Sequence, residues 1–308
     1  MKDNRVPLRA HLSMFTAEVI WGLMSPIAKS AMNSGFDGVS VVSFRVAGAA
    51  VLFWLASFVG PREHIPAKDI LKLAGAGLLG IVFNQCLFNI GLSITSPVNA
   101  SIVTTSMPIF AMILSFFILK EPITWKKGFG VAIGCCGALI LILSSAHAGN
   151  AKVGDIRGDL MCLAAQFSFA LYLALFNPLI RKYNVFTVNK WMFTWASLFV
   201  LPFTGWHVSQ LPWASFTAAT WLEVGYVVVF GTFVSYLLSV VAQGVLRPTV
   251  VSVYNYVQPI VAVAVSVAVG LSVFTLPQAI AVILVFSGVW LVIKSKSKRD
   301  LERVRSEE

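Results

Sequence analysis

The sequence predicts an all-α membrane protein built from two copies of a five-helix unit. Three observations lead to this fold class: the apolar residues form long runs, the two halves share residues at a constant spacing, and the basic residues favour alternate connections. Of the 308 residues, 57% are hydrophobic and 12% are charged, with a mean hydropathy of +0.82. Soluble domains carry about 25% charged residues. Composition therefore excludes an ordinary soluble domain.

Ten apolar runs of roughly 20 residues have the length needed to cross about 30 Å of hydrocarbon as helices. We number these predicted helices α1 to α10, at about 10–32, 38–59, 69–91, 97–119, 126–145, 157–180, 188–206, 219–242, 247–271 and 276–295. The expected parts are a cytoplasmic tail (1–9), a first repeat (10–145), an outer linker (146–156), a second repeat (157–295) and a basic cytoplasmic tail (296–308). The first run exceeds the apolar part of a signal peptide, so we expect it to be retained.

Lysine and arginine predict the orientation. With the N-terminus inside, the cytoplasmic segments hold 19 of the 23 basic residues, whereas the outer loops hold only Lys152 and Arg157. Such an asymmetry places both termini in the cytoplasm. The net charge of +10 is thus interpreted as a topology signal, and a nucleic-acid partner is not expected.

The duplication appears when residues 80–144 are laid over 231–295 at an offset of 151, which pairs Pro97 with Pro248 and Pro108 with Pro259. With five helices per copy, an odd number, the two copies have opposite orientations in the membrane. Inverted repeats allow two conformations of similar energy, one open to each side, with the substrate site near the midplane. The repeats predict an alternating-access transporter, although some channels share this symmetry.

Each repeat carries a proline inside its fourth helix. Pro108 removes an amide donor and crowds the carbonyl of Thr104, and Pro259 does the same to Asn255. Each break is expected to leave a free backbone acceptor beside polar side chains. Irregular backbone at membrane depth needs protein or water to satisfy it. The breaks therefore either face a central cavity or only bend helices whose own hydroxyls satisfy the backbone.

Helix α3 adds three amide side chains, Asn84, Gln85 and Asn89, and their repeat counterparts in α8 include Ser235 and Tyr236. These groups either line the cavity or form interhelical hydrogen bonds worth ~0.6 kcal/mol each.

Glu18 is the one carboxylate predicted deep in a helix, about 12 Å from the inner end of α1. A buried charge in a membrane is costly, so function is its default explanation. Glu18 is the candidate for proton coupling or for binding a substrate amine. The alternatives are a structural pair with Arg45 or a carboxyl that stays protonated. Lys29 and Arg45 are expected nearer the outer face, where long side chains snorkel toward water.

We expect α1, α3, α4, α6, α8 and α9 to line the cavity. The candidate cavity residues are Glu18, Trp21, Ser25, Asn84, Gln85, Asn89, Ser101, Thr104, Thr105, Gln166, Tyr172, Tyr236, Ser252, Asn255 and Tyr256. Aromatic, amphipathic walls with few fixed charges suit a small amphiphilic solute such as an amino acid. A phosphate ester would require several cations.

Glycines at 128, 130, 134 and 137 in α5, and Gly288 in α10, let helices pack closely. We assign α5 and α10 to scaffold contacts, or to the interface if the chain forms a homodimer. The chain contains neither HExxH nor GxSxG nor a phosphate-binding loop. We therefore expect no enzymatic activity and no cofactor.

These residues resemble a known family. Trp21–Gly22 followed by Lys29, then Arg45, the stretch 97–108, the stretch 119–124 and Gly158–Asp159 occur in that order. In this order they are similar to the drug/metabolite transporter superfamily, EamA type, over nearly the whole chain. The resemblance implies a small-solute carrier with cytoplasmic termini and a cavity between the repeats. Bacterial members often export amino acids and related metabolites.

The sequence thus favours a secondary, alternating-access transporter of small amphiphilic metabolites in a bacterial inner membrane, with amino-acid export as the preferred role. The alternatives are a channel or a non-transporting membrane scaffold. Drug-like or nucleotide-sugar-like metabolites form the alternative substrate class.

Overall fold

A computed structural model describes residues 8–61, 63–119, 125–126, 128–130, 132–134, 136–137, 140, 154–246, 250–251, 254–271 and 273–293. Within these residues the chain is helical and contains no strand. The helices are α1 Leu8–Asn33, α2 Gly38–Ser57, α3 Ala67–Ile94, α4 Pro97–Thr104 continued by Met107–Leu119, α6 Ile156–Ile180, α7 Val185–Ser209, α8 Ala218–Val245, α9 Val257–Ala268 and α10 Leu276–Ile293. The α5 segment is described only at scattered helical positions, so the count of ten helices remains a prediction.

The helices α2, α3, α4, α6 and α8 are long and apolar enough to cross a membrane. Large apolar side chains project from the outer surface of the bundle. Phe117, Phe203 and Trp206 are 71%, 85% and 79% exposed. Apolar surface of this extent is stable against lipid and not against water. The all-α membrane fold predicted from composition is therefore confirmed.

Helix ends are fixed by short polar side chains. Asp37 caps α2 by accepting a hydrogen bond from the Ser40 amide at 2.7 Å. Ser96 caps α4 by accepting from the Asn99 amide at 3.1 Å, and Pro97 occupies the first turn, where no amide donor is needed. At these two helix starts the sequence thus supplies a side-chain acceptor for an otherwise unpaired amide.

Helices α2 and α7, the second helices of the two repeats, lie side by side and antiparallel. Asp37 at the start of α2 contacts His207 near the end of α7. Trp54 near the end of α2 donates to Thr194 in the first half of α7 at 2.9 Å. Equivalent helices of the two repeats therefore run in opposite directions along one contact.

The first helix of each repeat packs on the other repeat. Helix α1 lies against the second half of α8 and against α9, whereas α6 lies against the second half of α3 and against α4. The two halves are interlocked, and the core is shared between them.

The third helices have matching backbones. Helix α3 spans 67–94 with a π-helical segment at Leu78–Phe83, and α8 spans 218–245 with a π-helical segment at Val229–Val234. All four bounds differ by 151. The duplication found in the sequence therefore extends to a rare backbone feature.

Candidate functional site

The two π-helical segments supply backbone acceptors in the middle of the bundle. A π-turn breaks the regular α-helical hydrogen-bond pattern and occurs frequently at functional sites. The Gly80 carbonyl accepts from the Tyr236 hydroxyl at 3.2 Å. Its repeat equivalent, the Gly231 carbonyl, accepts from the Trp21 indole at 3.0 Å and from Arg45 Nη2 at 3.3 Å.

Side chains of neighbouring helices pack directly on the backbone at both glycines. A Cβ at Gly80 would lie 2.8 Å from Cγ of Tyr172, and a Cβ at Gly231 would lie 2.8 Å from Cγ of Met24. The carbonyls stay accessible to side chains of neighbouring helices because nothing larger than hydrogen occupies these sites.

A cavity adjoins these segments at mid-length of α1 and α8. It has a volume of about 60 Å³, several times the ~10–15 Å³ that one water needs. Its lining residues are Trp21, Met24, Arg45, Asn84, Gln85, Phe88, Thr104, Gln166, Phe169, Tyr236, Asn255 and Gln258. They come from α1, α2, α3, α4, α6, α8, the turn before α9 and the first turn of α9, so both repeats contribute.

Seven of the predicted cavity residues line this space: Trp21, Asn84, Gln85, Thr104, Gln166, Tyr236 and Asn255. The amides of α3 also bond between helices. Asn84 Nδ2 donates to the Ala165 carbonyl at 2.9 Å, and Gln85 Nε2 donates to the Tyr236 hydroxyl at 3.2 Å. Asn84 and Gln85 therefore both line the cavity and form interhelical hydrogen bonds.

Other predicted cavity residues are buried beside the space without lining it: Glu18, Ser25, Asn89, Ser101, Thr105, Tyr172 and Tyr256. Tyr172 donates instead to Gln243 Oε1 at 3.2 Å. The Ser101 hydroxyl donates to the Val98 carbonyl at 2.8 Å. Tyr172 and Ser101 thus use their hydroxyls within the protein, whereas the Tyr256 hydroxyl has no partner among the described residues. The assignment of these seven residues to the substrate cavity stays a prediction. Ser252 lies outside the described residues.

Both proline-containing helices are interrupted. Turns replace helix at 105–106 in α4, before Pro108, and at 255–256 before α9, which contains Pro259. The hydroxyls of Thr104 and Ser106 donate to carbonyls three residues back, at 2.6 and 2.7 Å.

The backbone carbonyl of Asn255 accepts a hydrogen bond from the backbone N–H of Gln258 at 3.3 Å. The predicted free acceptor at Asn255 is therefore wrong, because the chain tightens into a turn there. The two breaks still bring the repeat equivalents Thr104 and Asn255 to the cavity wall.

Arg45 lines the cavity although the sequence placed it near the outer face. It is 3% exposed. Its Nε donates to Thr232 Oγ1 at 2.9 Å, and its Nη1 lies 3.4 Å from Asn89 Oδ1. The third partner is the Gly231 carbonyl. All three partners are uncharged.

Glu18 is fully buried. Its Oε2 accepts a hydrogen bond from Nε2 of Gln258, and its Oε1 has no partner among the described residues. Gln258 itself lines the cavity. Within the described part of the chain, Glu18 forms no ion pair with Arg45, so the predicted structural pair is not formed.

Lys29 caps a helix rather than snorkelling. Its Nζ donates to the carbonyls of Leu92, Ser93 and Thr95, each at 2.8 Å. These carbonyls lie at the end of α3, where backbone acceptors have no intrahelical partner. In the second repeat Arg181 donates to the Leu246 carbonyl at 2.7 Å, which is the equivalent contact at the end of α8.

The glycines of α5 and α10 meet within one chain. A Cβ at Gly288 would clash with the Gly130 carbonyl and lie 2.7 Å from the Gly134 amide nitrogen. Such close packing of α5 on α10 fits the scaffold role predicted for the two helices. A homodimer through these helices remains a prediction. Among the described residues, no group of three or more His, Cys, Asp or Glu is placed to hold a metal.

Comparison with known proteins agrees with this architecture. The uncharacterized transporter YetK of Bacillus subtilis is 24% identical over 297 residues, covering 96% of this chain and 88% of that protein. A WAT1-related protein of Arabidopsis thaliana is 24% identical over 336 residues, covering 97% and 87%. A probable terminal-alkyne amino-acid exporter of Streptantibioticus cattleyicolor is 25% identical over 197 residues, covering 61% and 65%.

A solved crystal structure has the same fold, with a TM-score of 0.63 at 19% sequence identity and coverage of 92% of this chain and 96% of that one. The model of the EamA-like transporter family matches residues 8–143 and again 156–294. Since one family model accounts for both repeats, the chain belongs to the EamA-like transporter family, within the drug/metabolite transporter superfamily.

Proposed function

We propose that the protein is a secondary transporter that moves small amphiphilic metabolites across a bacterial inner membrane by alternating access, and that its main role is export of amino acids or related compounds. The observation that carries this proposal is the position of the cavity. It lies where repeat-equivalent residues meet, and its walls come from both repeats.

The antiparallel contact of α2 with α7 supports inversion of the repeats. Copies related by an axis along the membrane normal would keep equivalent helices parallel. An axis in the membrane plane reverses them. A chain of two inverted halves has two mirrored arrangements of similar energy, each open to one side, with the site between them. Exchange between these arrangements is the proposed transport cycle.

The charge distribution supports cytoplasmic positions for both termini. The test is a pair of C-terminal fusions in a bacterial host, one to green fluorescent protein and one to alkaline phosphatase. We expect a fluorescent first fusion and an inactive second fusion. Active phosphatase would contradict the proposed topology.

Glu18 is the proposed proton-coupling group. Its carboxyl is buried beside the cavity, one oxygen accepts from Gln258, and the other has no described partner. A proton on that free oxygen would neutralise a charge that is costly inside a membrane. Substrate arriving next to Gln258 can therefore change the proton affinity of Glu18, which is what coupling requires.

The lining favours amphiphilic metabolites over nucleotide-sugar-like or drug-like solutes. Trp21, Phe88, Phe169 and Tyr236 give apolar area, and the amides give donors and acceptors. Arg45 is the one cationic side chain among the described lining residues, and a nucleotide sugar brings two phosphates. The amino-acid exporter among the relatives supports the same choice.

The deciding experiment is flux in proteoliposomes with a panel of amino acids, with and without a pH gradient. We expect saturable flux that unlabelled substrate on the opposite side accelerates, because a carrier returns faster when loaded. Protein-free liposomes are the control. Flux without saturation would favour a channel. Absence of flux for every solute would favour a scaffold.

A further inference from the structure

We propose that the guanidinium of Arg45 binds a carboxylate of the transported solute, so that the substrate class is small carboxylic acids with an apolar body. The inference rests on the proposed transport function and specifies its chemistry. Arg45 is a cation for which the described residues supply no counter-ion.

The position of Arg45 is unusual for a charged side chain. It is 3% exposed and lies inside a membrane-embedded bundle, yet it borders the cavity. Ionisable groups within the membrane pair with one another or with backbone carbonyls and mark substrate pathways. Arg45 contacts one carbonyl, at Gly231.

No carboxylate lies within 4.0 Å of the Arg45 nitrogens among the described residues. The nearby acid of α1, Glu18, bonds to Gln258 instead. A buried cation without an anion is a strongly unfavourable arrangement. The balancing charge can come from a solute that enters the cavity.

The geometry of the existing contacts leaves room for such a solute. A guanidinium has five donors, and the described contacts use one each on Nε, Nη1 and Nη2. The Nη1 and Nη2 bonds are long, at 3.4 and 3.3 Å. Charge-assisted bonds to a carboxylate are shorter and roughly twice as strong as neutral ones, and Arg can bind both oxygens at once. A carboxylate would therefore replace weak contacts with strong ones.

The remaining walls define the rest of the solute. Phe88 and Phe169 line the same cavity and suit an apolar side chain, and the oxygens of Gln166 and Asn255 can accept from an ammonium. A phosphate group would require several cations, and the described lining offers one. The combination fits an amino acid or a related monocarboxylate.

The test uses two matched probe series in proteoliposomes. One is L-phenylalanine, 3-phenylpropionate and L-phenylalaninamide. The other is L-leucine, 4-methylpentanoate and L-leucinamide. Each series keeps the apolar body and removes either the amino group or the carboxylate. The variants are Arg45→Gln and Arg45→Lys. Arg157→Gln is the matched control, because Arg157 is exposed and pairs with Asp155 among the described residues.

We expect the wild type to carry the amino acid and the acid of at least one series, and its amide at least about tenfold less efficiently. Arg45→Gln should lower kcat/KM for the carboxylates at least about tenfold and leave the amide unchanged. The kcat/KM of Arg45→Lys for the carboxylates should lie between the values of the wild type and Arg45→Gln, since an ammonium keeps the charge but not the two-pronged geometry. Arg157→Gln should match the wild type.

Equal transport of the acid and its amide by the wild type would overturn the inference and leave the transport function intact. If the wild type transports none of the six probes, the inference is also overturned. The amino-acid panel then decides whether the proposed transport function stands. Competition by chloride as strong as competition by the acid would identify a general anion site instead.

A binding measurement covers the case in which Arg45→Gln fails to fold. The wild-type melting temperature should rise with 3-phenylpropionate or 4-methylpentanoate and not with the corresponding amide, because a ligand of the native state stabilises it. Equal shifts with acid and amide would contradict carboxylate binding.

Discussion

Gln85 donates a hydrogen bond to Tyr236 at 3.2 Å, and the two residues are repeat equivalents, 151 positions apart. A residue can touch its own equivalent only where the axis that relates the repeats passes. Since both side chains line the cavity, this contact places the axis at the cavity wall.

Removing the Tyr236 hydroxyl should disturb both stability and transport. Tyr236→Phe loses the bond from Gln85 and the bond to Gly80, a loss of about 1 kcal/mol for each bond. We expect a lower apparent melting temperature and a several-fold lower flux. Tyr226→Phe is the matched control, because Tyr226 donates to the Ile20 carbonyl away from the cavity. Equal effects of the two substitutions would contradict a special role for the axis.

Glu18→Gln should remove the dependence of transport on a pH gradient while keeping the side-chain size. The amide cannot take up and release a proton, so flux should become the same with and without the gradient. The measurement is initial flux in proteoliposomes. Glu223→Gln is the control, since Glu223 accepts from Ser30 at 2.6 Å and does not line the cavity. Retained stimulation by the gradient in Glu18→Gln would remove Glu18 from the coupling mechanism.

Gly158→Ala should destabilise the protein because α3 and α6 meet there backbone to backbone. A Cβ at Gly158 would lie 2.6 Å from the Gly91 carbonyl oxygen. Overpacking of this kind costs about 1–3 kcal/mol, seen as a lower apparent melting temperature. Gly225→Ala serves as the control, since nothing lies within 4 Å of a Cβ there. It should be neutral or slightly stabilising; an equal loss in both variants would refute the packing argument.

Asp37→Asn should lower stability at neutral pH and matter less in acid. Partial burial acts to raise the pKa of Asp37, but hydrogen bonds from Ser40 and His207 outweigh it and hold the pKa below its ordinary value. A lowered carboxyl pKa stabilises the native state above the unfolded pKa, and this stabilisation is lost as the pH falls through the folded pKa. Melting curves of both proteins from about pH 3 to pH 7 should therefore converge toward the acid end, which spans the ordinary Asp range near 4. A constant gap across that range would contradict the role of the charged form.

The helices follow closely from the sequence. Helices α3 and α8 were expected at 69–91 and 219–242 and span Ala67–Ile94 and Ala218–Val245. The added residues at the helix ends include polar groups such as Lys68 and Gln243, which an apolar run leaves out. The π-helical segments were not predictable, because each lies inside an uninterrupted apolar run.

The site was predictable only in part, since depth along a helix does not reveal its neighbours. Arg45 is about 10 Å from the start of α2 by helical rise, which suggested the outer face. Its partners Asn89 and Thr232 lie 44 and 187 positions away, and no local pattern indicates them. Gln258 carried a usable signal: it is one helical turn from Asn255 and adjacent to Pro259. The ring of Tyr172 packs over Gly80, a contact between two helices that no local pattern indicates.

The exchange of first helices between the repeats has a consequence for synthesis of the protein. Trp21 bonds to Gly231, 210 positions later in the chain. While the ribosome completes the second half, α1 has no permanent neighbour on that side. Contacts of such long range form slowly and leave unfinished surfaces exposed. The nascent chain must therefore keep its first helix in lipid, or against an insertion factor, until its eighth and ninth helices arrive. A truncated first half would reach the membrane without the surface that completes it.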